Sequence, residues 1–300
     1  RKAIYMPFPQ SVPRAMTVDK ENCLECGLCA KMCEAKAVDL KQQPQEVELN
    51  VGAVIVAIGF DIFDPSEIPS YGYGRYKNVV TALELERLLC ASGPTGGHLI
   101  RPSDGKIPRK IAFIQCVGSR DRRFGNTYCS SICCKYSVKD AVLIKEHEPN
   151  SHVSIFYIDL RAFGRGFQEF VNRAKSEYGV RFIRSSPGEI MEDPITKNLV
   201  IWYEDTIAGT VENLIFDLVV LCPALIPRTD AKELAKVLGI KTDEYGFFRA
   251  ADLIINPVDT TVPGIFACGY CLGPKTGDIP DSIMQGSATA ARAAEVLRGT

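Results

Sequence analysis

The stretch KIAFIQCVGSRDRRFGNTYCSSICCKYSVKDAVLIKE (residues 110–146) decides how the chain is read. It opens on a strand-sized apolar run, Lys110 to Gln115, and closes on a helical segment, Lys135 to Glu146. A nucleotide-binding unit places a G-x-G-x-x-G turn between such a strand and helix. Here the strand runs into Cys116-Val117-Gly118-Ser119 instead. No intact G-x-G-x-x-G follows a strand elsewhere: Gly72 and Gly74 continue into Arg75-Tyr76-Lys77 and read as loop. A pyrophosphate cradle has given way to cysteines, which predicts no NAD(P) site in this chain.

Working outward, strand and helix keep alternating. Val153–Ile158 reads as a strand, Gly166–Tyr178 as a helix and Val180–Ser185 as a strand. That order argues a parallel sheet with crossover helices, an α/β fold. Strands follow around Leu199–Tyr203 and Glu212–Phe216, and Leu218–Leu221 reads as a buried one. Upstream, Glu46–Leu49 and Val54–Gly59 read as a hairpin whose second strand is buried, and residues 61–77 and 91–108 as loops. Residues 81–90 carry leucines at helical spacing, with Thr81 as N-cap and Glu84 three residues on, a capping-box pattern. Near the end, 264–268 reads as a strand and Ile279–Leu297 as an Ala-rich helix with Pro280 at its start, where proline fits.

The chain holds 300 residues and 12 cysteines. Eight of the cysteines fall in two tight groups, which favours metal over a disulfide scaffold. Cys23-x2-Cys26-x2-Cys29-x3-Cys33 is the bacterial ferredoxin run. Two intervening residues let each thiolate turn toward a different iron, and Gly27 lets the loop curl. Zinc sites more often pair two short Cys motifs. In two-cluster ferredoxins the fourth cysteine of the run serves the other cluster, so Cys33 either completes this site or reaches toward a second one with ligands before Arg1. Cys116-x12-Cys129-x3-Cys133-Cys134 is the second group. Its last two members open a helix, whose N-terminus favours an anionic four-thiolate cluster.

Lys plus Arg number 35 against 36 Asp plus Glu, so no basic excess points to nucleic acid. No apolar run approaches the ~18 residues of a membrane helix, and no signal peptide is visible. These features point to a cytoplasmic protein. Arg1 opens the chain without a Met, which reads as a processed start or a piece of a longer chain.

Several segments resemble two-dinucleotide-binding flavoproteins. Val54-Ile55-Val56-Ala57-Ile58-Gly59 resembles the strand that closes their FAD domain, and Leu218–Pro227 a second copy of that crossing. Asp259 to Gly269 resembles their late FAD motif, with Tyr270 standing in place of the Asp that meets the ribityl chain there. Lys275–Gln285 follows, and the helix start at Ile279, Pro280 and Asp281 is placed to face the pyrimidine edge of a flavin. The resemblance thus assigns cofactor contacts to Ala57, Gly59, Gly269, Lys275, Ile279, Pro280 and Asp281. The FAD pyrophosphate fingerprint is expected upstream of Arg1.

Over essentially its whole length the chain resembles the A subunit of heterodisulfide reductase, through RKAIYMPFPQ, ENCLECGLC, TALELERLL, ASGPTGGH, IRPSDGK, IQCVGSRD, YCSSICC, FYIDLRAFG and GPKTGDIPDS. The resemblance implies a thioredoxin-reductase-like flavin core with a ferredoxin-like α+β insert. It divides the chain into residues 1–45 (insert), 46–108 (FAD-domain segment and linker), 109–225 (nicotinamide-domain-like unit with a cluster replacing the nucleotide) and 226–300 (return to the FAD domain). It implies [4Fe–4S] clusters at Cys23, Cys26, Cys29 and Cys33 and at Cys116, Cys129, Cys133 and Cys134, and Lys139 and Glu86 beside the FAD isoalloxazine ring. It implies electron transfer between FAD and the clusters, with flavin-based electron bifurcation, in methanogenesis. The implied partners are other heterodisulfide-reductase-type subunits in a hetero-oligomer, a hydrogenase or formate dehydrogenase donor, and ferredoxin. Against the family the chain reads as a fragment or short form lacking both ends. Two other readings compete: a cluster-only scaffold without flavin, and a self-contained flavin disulfide or NAD(P)H reductase using Cys268 and Cys271.

Overall fold

The structure is a computed structural model and describes residues 2–6, 12, 14–43, 45–274 and 279–299. The chain divides into two compact units, Arg1–Val51 and Gly52–Thr300. In the first, β1 (Ile4–Tyr5) pairs antiparallel with β2 (Thr17–Val18), and a cysteine-bearing loop leads into the short helix α1 (Leu28–Met32). Gly27 caps α1 at φ 72°, a left-handed backbone that glycine adopts without steric cost.

The second unit runs β3 (Val54–Val56), β4 (Asp61–Ile62), β5 (Val79–Thr81), α2 (Ala82–Leu89), β6 (Lys110–Val117), α3 (Cys133–His147), β7 (His152–Tyr157), α4 (Phe167–Ser176) and β8 (Arg181–Arg184). It continues with β9 (Glu189–Glu192), β10 (Leu199–Asp205), β11 (Thr210–Phe216), β12 (Leu218–Pro223), β13 (Leu225–Ile226), α5 (Ala231–Leu238), β14 (Ile265–Ala267) and α6 (Ile279–Arg298). Its centre is a five-stranded parallel sheet in the order β5-β12-β6-β7-β8. Strand alternation sorts the core into two layers. Ile111 and Phe113 of β6 meet Val138, Ala141 and Ile144 of α3 and Val171 and Ala174 of α4. Ala112 and Ile114 point the other way, to Ile190, Leu199, Ile201 and Phe216 of an antiparallel sheet, β11-β10-β9. The α/β class read from 110–185 is therefore present, with a second sheet covering the face opposite the helices.

The capping box at Thr81 forms: the Glu84 N–H donates to Thr81 Oγ1 at 3.3 Å, and the Thr81 N–H donates to Glu84 Oε2 at 2.7 Å. The hairpin expected over 46–59 does not form. Val47 and Leu49 are 73% and 74% exposed, so their alternation has no face to bury. β3 stops at Val56, the only buried residue of its run, and pairs in parallel with β14. Helix α6 packs on this pair. β5 and α2, which fall within the expected 46–108 segment, join the central sheet through β12. Helix α5 and strand β9 went unread. Gly239 at φ 70° closes α5, while β9 buries only Ile190. Among the described residues no helix is long and apolar enough to cross a membrane.

Candidate functional site

Strict alternation along β6 places Cys116 on the face of Ala112 and Ile114, away from α3. A β-bulge prevents this. The register with β12 shifts between Leu221 and Pro223, and Cys116 takes φ 60°. A left-handed backbone costs a non-glycine residue about 1–2 kcal/mol, and bulges of this kind re-aim a side chain. The Cys116 thiol thereby joins Cys129 of the following loop and Cys133 and Cys134 of the first turn of α3 around one void of about 10 Å³, shared with Ser119, Ser130, Ser131, Asp159 and Arg161.

Two backbone N–H groups already aim at these sulfurs: Ser131 donates to Cys129 Sγ and Arg161 to Cys134 Sγ, each at 3.3 Å. Burial pushes the Cys116 thiol up to about 12, with Cys134 and Cys129 adding to it. Burial raises Cys133 and Cys134 in the same way. Two buried thiols, Cys133 and Cys134, and two half-buried ones, Cys116 and Cys129, form a donor set whose thiolates need several nearby cations. Soft sulfur donors suit iron–sulfur clusters or zinc. Among the described residues no three His, Cys, Asp or Glu side chains converge on a single metal ion. A cubane spreads its thiolates over several irons and so does not require such convergence.

In the first unit, Glu25 (φ 51°) and Gly27 (φ 72°) bend the loop that carries Cys23 and Cys26. Cys29 lies in α1 and Cys33 caps its C-terminus. Cys23 Sγ accepts from the Glu25 N–H and Cys33 Sγ from the Ala37 N–H, both at 3.4 Å. These N–H···S contacts match those of the second group.

The flavin-like signals converge on the carboxyl ends of β3 and β14, where ligands of parallel α/β sheets bind. Gly59 (φ 73°) and Gly269 (φ 76°) follow the two strands, and a Cβ on either meets no atom within 4 Å. The space above both left-handed glycines is open. Ala57 is exposed beside them. The Gly269 N–H donates to Gln285 Oε1 at 2.8 Å, tying this end to α6. Ile279 and Pro280 open α6 exposed; Asp281 is half-buried on a cleft of about 780 Å³ shared with Phe248, Leu272, Pro274 and Met284. Lys275 lies outside the described residues.

Lys139 of α3 and Glu86 of α2 meet as an ion pair. A third member is Asp140, whose side chain is 0% exposed with Oδ1 at 2.8 Å from Lys139 Nζ. The charges are in contact, but the angle is poor for a hydrogen bond, so both Asp140 oxygens lack a donor. Burial outweighs Lys139 and pushes the Asp140 carboxyl up to about 7. Burial alone depresses the Lys139 ammonium, but Asp140 and Glu86 overcome it and raise its pKa. Asp140 shares a helix face with buried Ser137 and Ile144, three and four residues away. Tyr270, which stands where the resemblance has an Asp, is buried after β14 with its hydroxyl donating to the Ser130 carbonyl at 2.9 Å. By contrast, the Cys271 thiol donates to backbone carbonyls of Cys268 and Val56, and burial pushes it up to about 11, a poor start for dithiol chemistry.

The fold is that of two-dinucleotide-binding flavoproteins. A Lactococcus lactis thioredoxin reductase matches 99% of this chain and 86% of its own at TM-score 0.55 and 20% identity. A T. acidophilum thioredoxin reductase matches 80% and 64% at TM-score 0.51 and 17% identity. By sequence the chain is related, along nearly its whole length, to the A subunit of heterodisulfide reductase. It is 54% identical over 297 residues to an iron–sulfur A subunit of the CoB–CoM heterodisulfide reductase of Methanopyrus kandleri, covering 99% of this chain and 45% of the relative. It is 50% identical over 290 residues to the corresponding A subunit of Methanocaldococcus jannaschii, covering 97% and 44%. The A subunit of the H(2):CoB-CoM heterodisulfide,ferredoxin reductase of Methanothermobacter thermautotrophicus is 48% identical over 293 residues, covering 98% and 44%. The chain thus spans less than half the length of these relatives. No protein-family model matches it.

Proposed function

We propose that this chain is the electron-transfer core of a heterodisulfide-reductase A-type subunit, passing electrons between FAD and [4Fe–4S] clusters. The observation that carries the reading is the bulge at Cys116, which turns a strand cysteine out of its alternation and onto Cys129, Cys133 and Cys134. Those four cysteines hold one cluster. Cys23, Cys26 and Cys29, with Cys33 on this or a neighbouring cluster, form a second station. FAD lies against Gly59 and Gly269, with Ala57, Lys275 and the α6 start at Ile279, Pro280 and Asp281 as further contacts. When bound, FAD supplies the exchange between electron pairs and single electrons, and the clusters take electrons one at a time.

The chain's own groups prepare that exchange. Lys139 would present a cation to the bound FAD, and Glu86 and Asp140 hold the ammonium in place and offset its charge. Val117, Ser119 and Ser130, all buried beside the cysteines, help keep water from the thiolates. The names of the relatives couple CoB–CoM heterodisulfide to H2, formate or ferredoxin. On that basis the complex includes other heterodisulfide-reductase-type subunits, a hydrogenase or formate dehydrogenase donor and ferredoxin. Electron bifurcation is its function and the cytoplasm its compartment.

Iron, sulfide and flavin quantification on anaerobically purified protein tests this. The expected result is about eight irons per chain, as two cubanes require, one FAD, and loss of about half the iron in Cys133→Ala. About four irons in the parent sinks the two-cluster reading, and absence of flavin sinks the FAD assignment.

A further inference from the structure

The peptide joining Ser130 to Ser131 is held at both ends. Its carbonyl accepts from the Tyr270 hydroxyl at 2.9 Å. Its N–H, that of Ser131, donates to Cys129 Sγ at 3.3 Å. A peptide unit is planar, so gripping the carbonyl also aims the N–H. Ser131 itself sits at φ 63°, a backbone that persists in a non-glycine residue only where the surroundings impose it. The rest of the loop is pinned by the strand β13 and by its own side chains. Ser130 Oγ accepts from the Leu225 N–H at 3.0 Å, and Ser119 Oγ donates to the Tyr128 carbonyl at 2.9 Å. Tyr270 comes from elsewhere, the turn after β14. Its ring is buried, edge-on to Phe60 and Phe247 at centroid distances of 5.0 and 5.9 Å. Removing only the hydroxyl therefore leaves the packing in place.

We infer that Tyr270 is a positioning residue that tunes the cysteine site, its hydroxyl orienting the Ser130–Ser131 peptide and so the N–H···S bond to Cys129. This rests on the reading of Cys116, Cys129, Cys133 and Cys134 as cluster ligands. A hydrogen bond to the carbonyl polarises the peptide and strengthens its N–H as a donor. Hydrogen bonds to cluster sulfurs set the reduction potential, because each added electron places negative charge on iron and sulfur that the donor stabilises. The segment carrying the flavin-side glycine Gly269 thus also governs how readily the neighbouring cluster accepts an electron.

The test compares Tyr270→Phe with its parent in the full chain, both carrying Cys23→Ala, Cys26→Ala and Cys29→Ala so that only the second cysteine group reports. The variant is expected to keep the parent's iron and sulfide. In an anaerobic redox titration its one-electron reduction equilibrium shifts about three- to tenfold toward the oxidised form, roughly 30–60 mV more negative. In cluster-free protein, amide hydrogen exchange across Cys129–Ile132 becomes at least about threefold faster, because the gripped peptide is released. An unchanged potential at full iron content overturns the inference. So does loss of iron with no change in the potential of what remains, which makes Tyr270 a structural brace alone. A parent without iron overturns the cluster reading and the tuning with it. The exchange comparison, which needs no cluster, then separates that failure from a wrong assignment of the Tyr270 contact.

Discussion

Replacing Lys139 by Met should cost stability at pH 8 and almost none at pH 6. The substitution keeps most of the side chain's apolar bulk and removes the cation that contacts the buried Asp140 carboxylate. Glu86 from α2 and the Cys222 thiol from β12 are the other titratable groups facing it. Breaking a buried ion pair ordinarily costs about 3–5 kcal/mol, because the remaining charge is stranded. Here the cost is capped. Asp140 can escape by taking a proton, and its carboxyl is already pushed up to about 7 from 3.8. At pH 8 protonating it costs on the order of 1 kcal/mol, and at pH 6 next to nothing. The Lys139–Glu86 pair is close to half exposed on both sides, at 45% and 43%, so solvent screening leaves it about 0–1 kcal/mol.

The sign follows from the direction of the Asp140 shift. A carboxyl whose pKa rises on folding binds a proton that the unfolded chain releases. Its contribution is most favourable at low pH and is lost as pH climbs from about 4 to about 7. Lys139→Met extends that loss to higher pH. Urea unfolding of parent and variant at both pH values, in the same cofactor state, measures it. In an Asp140→Asn background the pH-dependent part should vanish. An equal loss at the two pH values, or a loss above about 3 kcal/mol at pH 8, refutes the reasoning.

Thr81→Ala removes the acceptor for the Glu84 N–H and breaks the capping box of α2. It should lower stability by about 1 kcal/mol, read as a drop in thermal midpoint. Gly118→Ala places a Cβ 2.3 Å from a Phe63 ring carbon at φ 72°, so overpacking and backbone strain together should cost about 2–4 kcal/mol by chemical denaturation. Cys116→Gly removes a proposed ligand but relieves the left-handed strain at φ 60°. Its cluster-free melting temperature should hold or rise while iron content falls by about half.

Adjacent residues carried much of this protein. The α/β order from Lys110 to Ser185 was legible because hydrophobic period is local: four-to-eight-residue apolar runs and leucines at helical spacing need no distant partner to be read. The cap at Thr81 and the ferredoxin spacing at Cys23–Cys33 were legible for the same reason, since a cap and a tight ligand loop lie within a few residues of chain. Tertiary structure decided the rest. Val54–Val56 finds its partner in Ile265–Ala267, far along the chain, and not in Glu46–Leu49, because pairing follows where apolar surface can be buried. Asp140 looks like any helix charge until β12 and α2 close over it. Cys116 stood out in the sequence as the residue where a phosphate-binding glycine should be. Only the register slip between β6 and β12 turns its thiol toward Cys133 and Cys134, and only the fold of β14 brings the Tyr270 hydroxyl to the peptide beside Cys129. A one-residue bulge and a hydrogen bond between segments 140 residues apart are energies of packing, and no local pattern encodes them.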